Sequence, residues 1–218
     1  MDLIDALRTT GAARRFTSDP VDRATIAAIL DDARFAPSGG NRQPWLVAVV
    51  EDRLLRRQVA AMMQPVWDEY VAAAATGQAP FNSVAFEPPV TITAGQPNEL
   101  IDHIADVPVV LAVAADLRRI ALMDAGLDRV PITGGASVYP FCWSVLLAAR
   151  ARGLGGVMTT FLSRVEPAAV AFLGLPSDHA LAATIFIGRP ERQATRLRRD
   201  PVESFTTLDR FDGDAFSS

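Results

Sequence analysis

Lysine is missing from this 218-residue chain, and all 21 of its Lys/Arg positions are arginine. Any anion site must therefore be built from guanidinium groups, whose planar fork matches phosphate oxygens through paired hydrogen bonds. Cysteine is nearly missing too. With Cys142 alone no intramolecular disulfide can form, and a reducing compartment, the cytoplasm, is the default expectation. The two histidines, His103 and His179, have no carboxylate or cysteine at ligand spacing, so no metal site is expected. Long apolar runs are also lacking. Val107 to Ala115 is too short and interrupted to span a bilayer. The start, Met1-Asp2-Leu3-Ile4-Asp5, is acidic and amphipathic, unlike a secretory signal. A net charge of −4 gives no basic field for nucleic acid. A soluble cytoplasmic protein without membrane or nucleic-acid partners is expected.

Several catalytic signatures are absent as well. Gly153-Leu154-Gly155-Gly156 follows a helix rather than a strand, the wrong order for a dinucleotide fingerprint. No nucleophile elbow is present, and Cys142 lies in an apolar helix, where packing is its expected role. No protein side chain is expected to be catalytic in its own right.

What is present is a large apolar content, 50% of residues, enough for one substantial core. Asp2 to Thr9 suits a short first helix. After the turn Asp19-Pro20-Val21-Asp22, the residues Ile26, Ile29, Leu30 and Ala33 recur at helical spacing. Ala36 to Asn41 ends that helix in a loop. Leu46 to Val50 has the continuous apolar character of a strand buried on both faces. Asp52 to about Ala75 reads as helix, with Pro65 expected to kink or break it. Gln78 to Pro97 is an irregular excursion, and the wider stretch from about residue 64 to 105 is expected to act as a lid, with Trp67, Tyr70, Phe81 and Phe86 as pocket aromatics. Val109 to Ala115 is a second buried strand. Ser137 to Arg152 is apolar all round and is expected at the centre of the core, closed by a glycine cap at Gly153. Strand Val157–Phe161, helix Glu166–Leu173 and strand Leu181–Ile187 follow. The polar stretch Arg189 to Ser218 is expected to be an extended segment lying on something, such as a second subunit. Interleaved elements of this kind predict one α+β domain over residues 1–218, with helices flanking a central mixed sheet.

Three segments carry possible chemistry. Arg14-Arg15-Phe16, just after the first helix, could clamp a phosphate. Pro37-Ser38-Gly39-Gly40-Asn41-Arg42-Gln43-Pro44-Trp45 combines glycines that permit close backbone approach with amides that suit a uracil-like edge. Arg196-Leu197-Arg198 in extended chain would put two guanidinium groups on the same side. Alone, each arginine cluster is more often a solvated surface, and the loop is as often a plain helix-to-strand connection.

In this order and spacing, these segments resemble the nitroreductase family, over roughly residues 2 to 50 and 134 to 203. The carried pieces are Arg14-Arg15-Phe16, Ala36-Pro37-Ser38, Asn41-Arg42-Gln43-Pro44-Trp45, the apolar helix running into Gly153-Leu154-Gly155-Gly156, and Arg196-Leu197-Arg198-Arg199-Asp200-Pro201. The resemblance implies an intertwined homodimer with FMN at the interface, reduced by NAD(P)H and reoxidised by a small organic acceptor in a ping-pong cycle. It implies that Arg14, Arg196 and Arg198, with Arg15 nearby, hold the FMN phosphate. It also implies that Pro37, Ser38, Gly39, Asn41 and Gln43 reach the flavin largely from the partner subunit. Backbone donors near the ring would come from Met158, Thr159, Thr160 and Phe161. The family's Arg-Ser-x-Arg pattern is replaced here by Gly11-Ala12-Ala13-Arg14, with Arg8, Arg15 and the amides of Gly11 and Ala12 as the available substitutes. Flavin storage or sensing without turnover, and a flavin-fragmenting or dehalogenating activity on the same fold, are the alternative readings.

Overall fold

The computed structural model describes residues 1–216. Three helices start on aspartate caps: Asp2 accepts from the Asp5 amide, Asp22 from Thr25, and Asp52 from Leu54 and Leu55. Such caps satisfy amides that a helix start leaves unpaired. They define α1 (Leu3–Thr9), α2 (Arg23–Ala33) and α3 (Arg53–Ala75). The rest of the framework is β1 (Trp45–Val49), β2 (Val109–Asp116), α4 (Tyr139–Ala151), β3 (Gly155–Thr159), α5 (Phe161–Arg164), α6 (Glu166–Leu173) and β4 (His179–Gly188).

The four strands form one sheet in the order β1-β2-β4-β3, antiparallel at every pairing. The parallel contribution is a single bridge, Ala12 to Gly156, which lays the chain after α1 along the outer edge of β3. One face of the sheet packs on α2 and α4 through Ile29, Val113, Phe141, Val145 and Ile185. The other packs on α3, α5 and α6 through Val59, Met63, Val110, Leu162, Ala169 and Phe186. β2 is central and buried along its whole length, as its unbroken apolar sequence predicts.

β1 departs from expectation. It is an edge strand, with Leu46 47% and Val49 39% exposed. Trp45 and Val47 pack into the core on one side, while Leu46 and Ala48 face outward on the other. A continuous apolar run cannot distinguish a central strand from an edge whose second face lacks a cover. α4 is not enclosed on all sides either: Tyr139 and Trp143 remain exposed along one stripe. Pro65 does not break α3, which runs through it for 23 residues. Proline removes one helical hydrogen bond, but Val59, Met63 and Val66 are buried on both sides of it and hold the helix in register. The helix ends at Ala75 as expected, so the first part of the stretch from about residue 64 to 105 is helical and the irregular excursion begins at Thr76.

The glycine cap at the end of α4 forms as predicted. Gly153 is left-handed at φ 74°, its amide donates to Arg150 O, and Leu154 N donates to Ala149 O. Beyond β4 the chain is largely irregular, with a bridge from Pro190 to Phe16, a 3-10 turn over Val202–Ser204 and a bridge from Thr207 to Ala215. Residues 217–218, the end of the expected extended segment, lie outside the described residues.

Candidate functional site

Pairing of the Ala12 segment with β3 decides what lies near Arg14. Ala13 N donates to Gly156 O at 3.0 Å. Successive peptide groups of a strand point to alternate edges. Gly156 turns its carbonyl toward Ala13, so Met158, two residues on, turns its own peptide groups to the same open edge. Arg14, Trp67, Tyr70, Asn98, Glu99, Met158, Thr159, Thr160 and Phe161 border a cleft of about 590 Å³ at this edge. The Thr159 hydroxyl is buried without a hydrogen-bond partner.

The aromatic side of the cleft is ordered. Trp67 and Tyr70 stack with centroids 5.5 Å apart, and Phe161 lies 6.2 Å from Trp67 and 6.0 Å from Tyr70. Trp67 Nε1 donates to Pro97 O, tying α3 to the excursion. Phe81 and Phe86, also expected in the pocket, do not border this cleft. They extend the aromatic cluster behind Tyr70, where the Arg164 guanidinium covers Phe81 at 4.1 Å. The buried Asp68 carboxylate fastens the excursion further by accepting from Gly95 N, Gln96 N and Gln64 Nε2. Burial pushes its pKa up, but those three hydrogen bonds outweigh it and the net shift is down. Asn98 and Glu99 were not singled out from sequence. Their only signal was a place in a polar excursion.

A second cleft, of about 270 Å³, lies beside Gly11–Ala13 and is bordered by Arg192, Gln193 and Arg196. Here the glycine has a structural reason. A Cβ on Gly11 would meet Leu197 Cδ2 at 2.9 Å and Ala194 Cβ at 3.2 Å, so the segment after β4 packs against this position. The Gly11 amide is used by Thr9 O and is not available to a ligand. Gln193 Oε1 is buried and unpaired. Of the expected arginine pair only Arg196 borders this cleft. Arg198 is exposed and borders neither this cleft nor the one beside Thr159. Arg15 is paired with Glu191 at 3.2 Å.

The loop Pro37, Ser38, Gly39, Asn41 and Gln43 lies elsewhere. It leads into β1, at the opposite edge of the sheet from β3, although both reach the same end of the sheet. Its shape is held by hydrogen bonds within the loop and by one to Ser137 before α4. Gln43 N donates to Ser38 Oγ, Gly39 N to Ser137 Oγ, and Gln43 Nε2 to Asn41 Oδ1. Asn41 at φ 54° and Gln43 at φ 47° are left-handed. Such backbone costs on the order of 1–3 kcal/mol per non-glycine residue and clusters at ligand sites. Trp45 does not extend the loop's polar surface; it stacks on Phe141 at 4.7 Å.

At that end of the sheet, folding gives His179 the carboxylate neighbours that its sequence spacing did not predict. Atoms of Asp116, Asp178 and His179 lie within 4.8 Å of one another. Arg118 and Arg119 already engage the Asp116 carboxylate, and Arg118 also engages Asp178. The paired hydrogen bonds from Arg118 hold the Asp116 pKa down to about 2, against the opposing effect of burial. Because the folded value lies below the ordinary 3.8, the contribution is full above that value and lost as pH falls toward 2. Asp116→Asn is expected to flatten that acid limb of stability in a denaturation series from pH 5 to pH 2; an unchanged limb would assign it to other carboxylates. Cys142 is fully buried and its thiol pKa is pushed up to about 12 by burial, so it is inert as a nucleophile. Among the described residues no helix is long and apolar enough to cross a membrane.

Known proteins are similar to this chain both in sequence and in topology. Residues 7–189 match the nitroreductase family. A 5,6-dimethylbenzimidazole synthase of Rhodospirillum rubrum is 31% identical, covering 83% of this chain and 78% of its own length. An NADH dehydrogenase of Thermus thermophilus is 30% identical, covering 87% of each chain. In structure, the NADPH:FMN oxidoreductase from Vibrio harveyi complexed with NAD+ superposes with a TM-score of 0.68 at 17% identity, covering 95% of this chain and 76% of the other. With a family match over most of its length and curated relatives at 30% identity or more, the chain belongs to the nitroreductase family of oxidoreductases.

Proposed function

We propose that this protein is an FMN-dependent oxidoreductase that passes two electrons from NAD(P)H to a small organic acceptor such as a nitroaromatic or quinone. The observation that carries this reading is the convergence of Arg14, the open peptide edge at Met158–Thr160 and an aromatic wall in one cleft. FMN needs cations for its phosphate, hydrogen-bonding groups for its ring edge and flat apolar surface for its ring. The unpaired Gln193 carbonyl oxygen beside the neighbouring cleft is the kind of buried polar atom a ligand completes.

When bound, FMN supplies the two-electron chemistry, and no protein nucleophile is required. Arg14 and Arg196 would hold the phosphate, each charge-assisted hydrogen bond contributing about 1.5–3 kcal/mol; Arg15, paired with Glu191, and Arg198, outside both clefts, would join only after rearrangement. Backbone groups of Thr159 and Thr160 would fix the ring edge, as donors already in position before the ligand arrives. Trp67, Tyr70 and Phe161 exclude water from it. Pro37, Ser38, Gly39, Asn41 and Gln43 act from the partner subunit of a homodimer. The separation of that loop from Arg14 by the width of the sheet supports this division of labour.

A second reading, flavin fragmentation, is supported by the likeness to a protein named 5,6-dimethylbenzimidazole synthase. The product in that name is a dimethylated benzene ring fused to a nitrogen heterocycle, a ring pattern also present in the isoalloxazine of FMN.

One experiment separates these readings. Purified protein loaded with FMN is reduced under argon with NADH or NADPH, then exposed to menadione or nitrobenzene. Full recovery of the oxidised flavin spectrum with acceptor consumed is the expected result. Irreversible loss of flavin absorbance with a new product in air would favour fragmentation. A colourless protein that takes up no added FMN would sink both.

A further inference from the structure

Three hydroxyl oxygens on the sheet and the helix that packs on it are out of contact with solvent and without a hydrogen-bond partner: those of Thr159 in β3, Thr184 in β4 and Ser163 in α5. Thr159 and Thr184 are opposite one another in the β3–β4 register, so their side chains leave the same face as direct neighbours. That face is covered by α5, which packs on β4 and carries Ser163. The surroundings are apolar: Val157, Leu162 and Phe186 belong to the core here, and Ala112, opposite Thr184 on β2, contributes only a methyl group.

A lone hydroxyl among apolar side chains is costly, and buried polar atoms in native proteins are nearly always satisfied. Each hydroxyl offers one donor and two acceptor positions. An internal water typically makes about three hydrogen bonds to groups that would otherwise be unpaired. We propose that Thr159, Thr184 and Ser163 bind an internal water beneath the β3–α5 turn, and that this water fixes the Met158–Thr160 peptide groups bordering the cleft. Thr184 and Ser163 do not border the cleft themselves, so they are positioning residues for whatever binds there. The water site stands on the hydroxyl cluster alone; the positioning role rests on the FMN reading of the cleft.

The test is the isosteric change Thr184→Val together with Ser163→Ala. If the hydroxyls share a water, each variant lowers the Tm of the flavin-free protein, by about 2–4 °C, and the double variant loses less than the two combined. A high-resolution crystal structure then shows a water bonded to at least two of the three oxygens. An unchanged or raised Tm for Thr184→Val, or a dry site, overturns the water. For the positioning role, fluorescence titration of Thr184→Val is expected to show roughly two- to tenfold weaker FMN binding, recovered in Thr184→Ser. Unchanged FMN affinity overturns that role while leaving the water. A wild-type protein that takes up no FMN removes the role together with the flavin reading, and the thermal and crystallographic results still decide the water.

Discussion

Replacing Arg14 by alanine is expected to weaken FMN binding about 10- to 150-fold, the equivalent of one charge-assisted hydrogen bond, with little change in the Tm of the flavin-free protein. Arg14 is exposed and borders the cleft beside Thr159 and Thr160. Arg15 is engaged by Glu191, whereas Arg14 forms no ion pair among the described residues, so its removal leaves no buried partner behind. Arg196→Ala should cost less, and Arg198→Ala least, because Arg196 borders only the neighbouring cleft and Arg198 neither. Fluorescence quenching of FMN by the apoprotein measures all three. Wild-type affinity in Arg14→Ala would remove it from the phosphate site. A larger loss in Arg198→Ala would mean that the segment after β4 rearranges when the ligand or a second subunit is present.

The second large effect lies at Gly156, where the expected outcome is a loss of stability. A Cβ there would stand 2.7 Å from the Phe186 carbonyl oxygen and 2.8 Å from Leu146 Cδ2, one a backbone atom and the other a core side chain. Neither can move freely, since Phe186 is fully buried in β4 and Leu146 is nearly so in α4. Gly156→Ala should therefore cost roughly 1–3 kcal/mol, as overpacking of a filled core does, and lower Tm by several degrees. The same glycine accepts from Ala13, so displacing β3 also disturbs the segment that carries Arg14. A variant with wild-type Tm would mean that β3 and β4 have more freedom than this packing allows. Gly155→Ala, whose nearest neighbours are Pro190 and Ala13 side chains at 3.0–3.1 Å, should be milder.

Much of the architecture was legible because the signals are local. Aspartate caps at Asp2, Asp22 and Asp52, the helical spacing of Ile26, Ile29 and Ala33, and the glycine stop at Gly153 each depend on a few neighbouring residues. Leu46 to Val49 shows where that locality ends. Its residues form a strand as predicted, but whether its second face is covered depends on strand order, which no window of sequence contains. Pro65 shows the reverse case: a strong local breaker overridden by buried contacts on both sides.

The candidate site divides in the same way. By itself the sequence determined the chemical inventory: arginine as the sole Lys/Arg-type cation, a loop of glycines and amides before β1, a glycine-ended helix before β3, and no paired nucleophile and base. Those follow from residue identity and short-range backbone preference. Only the tertiary structure decided which pieces share a cleft. The Ala12–Gly156 bridge brings Arg14 to Thr159 and Thr160, more than 140 residues away, while the sheet order sends the loop at residues 37–43 to the far edge. Asn98, Glu99 and the hydroxyls of Thr184 and Ser163 became visible there too, because proximity and an unsatisfied hydrogen bond are properties of the folded chain.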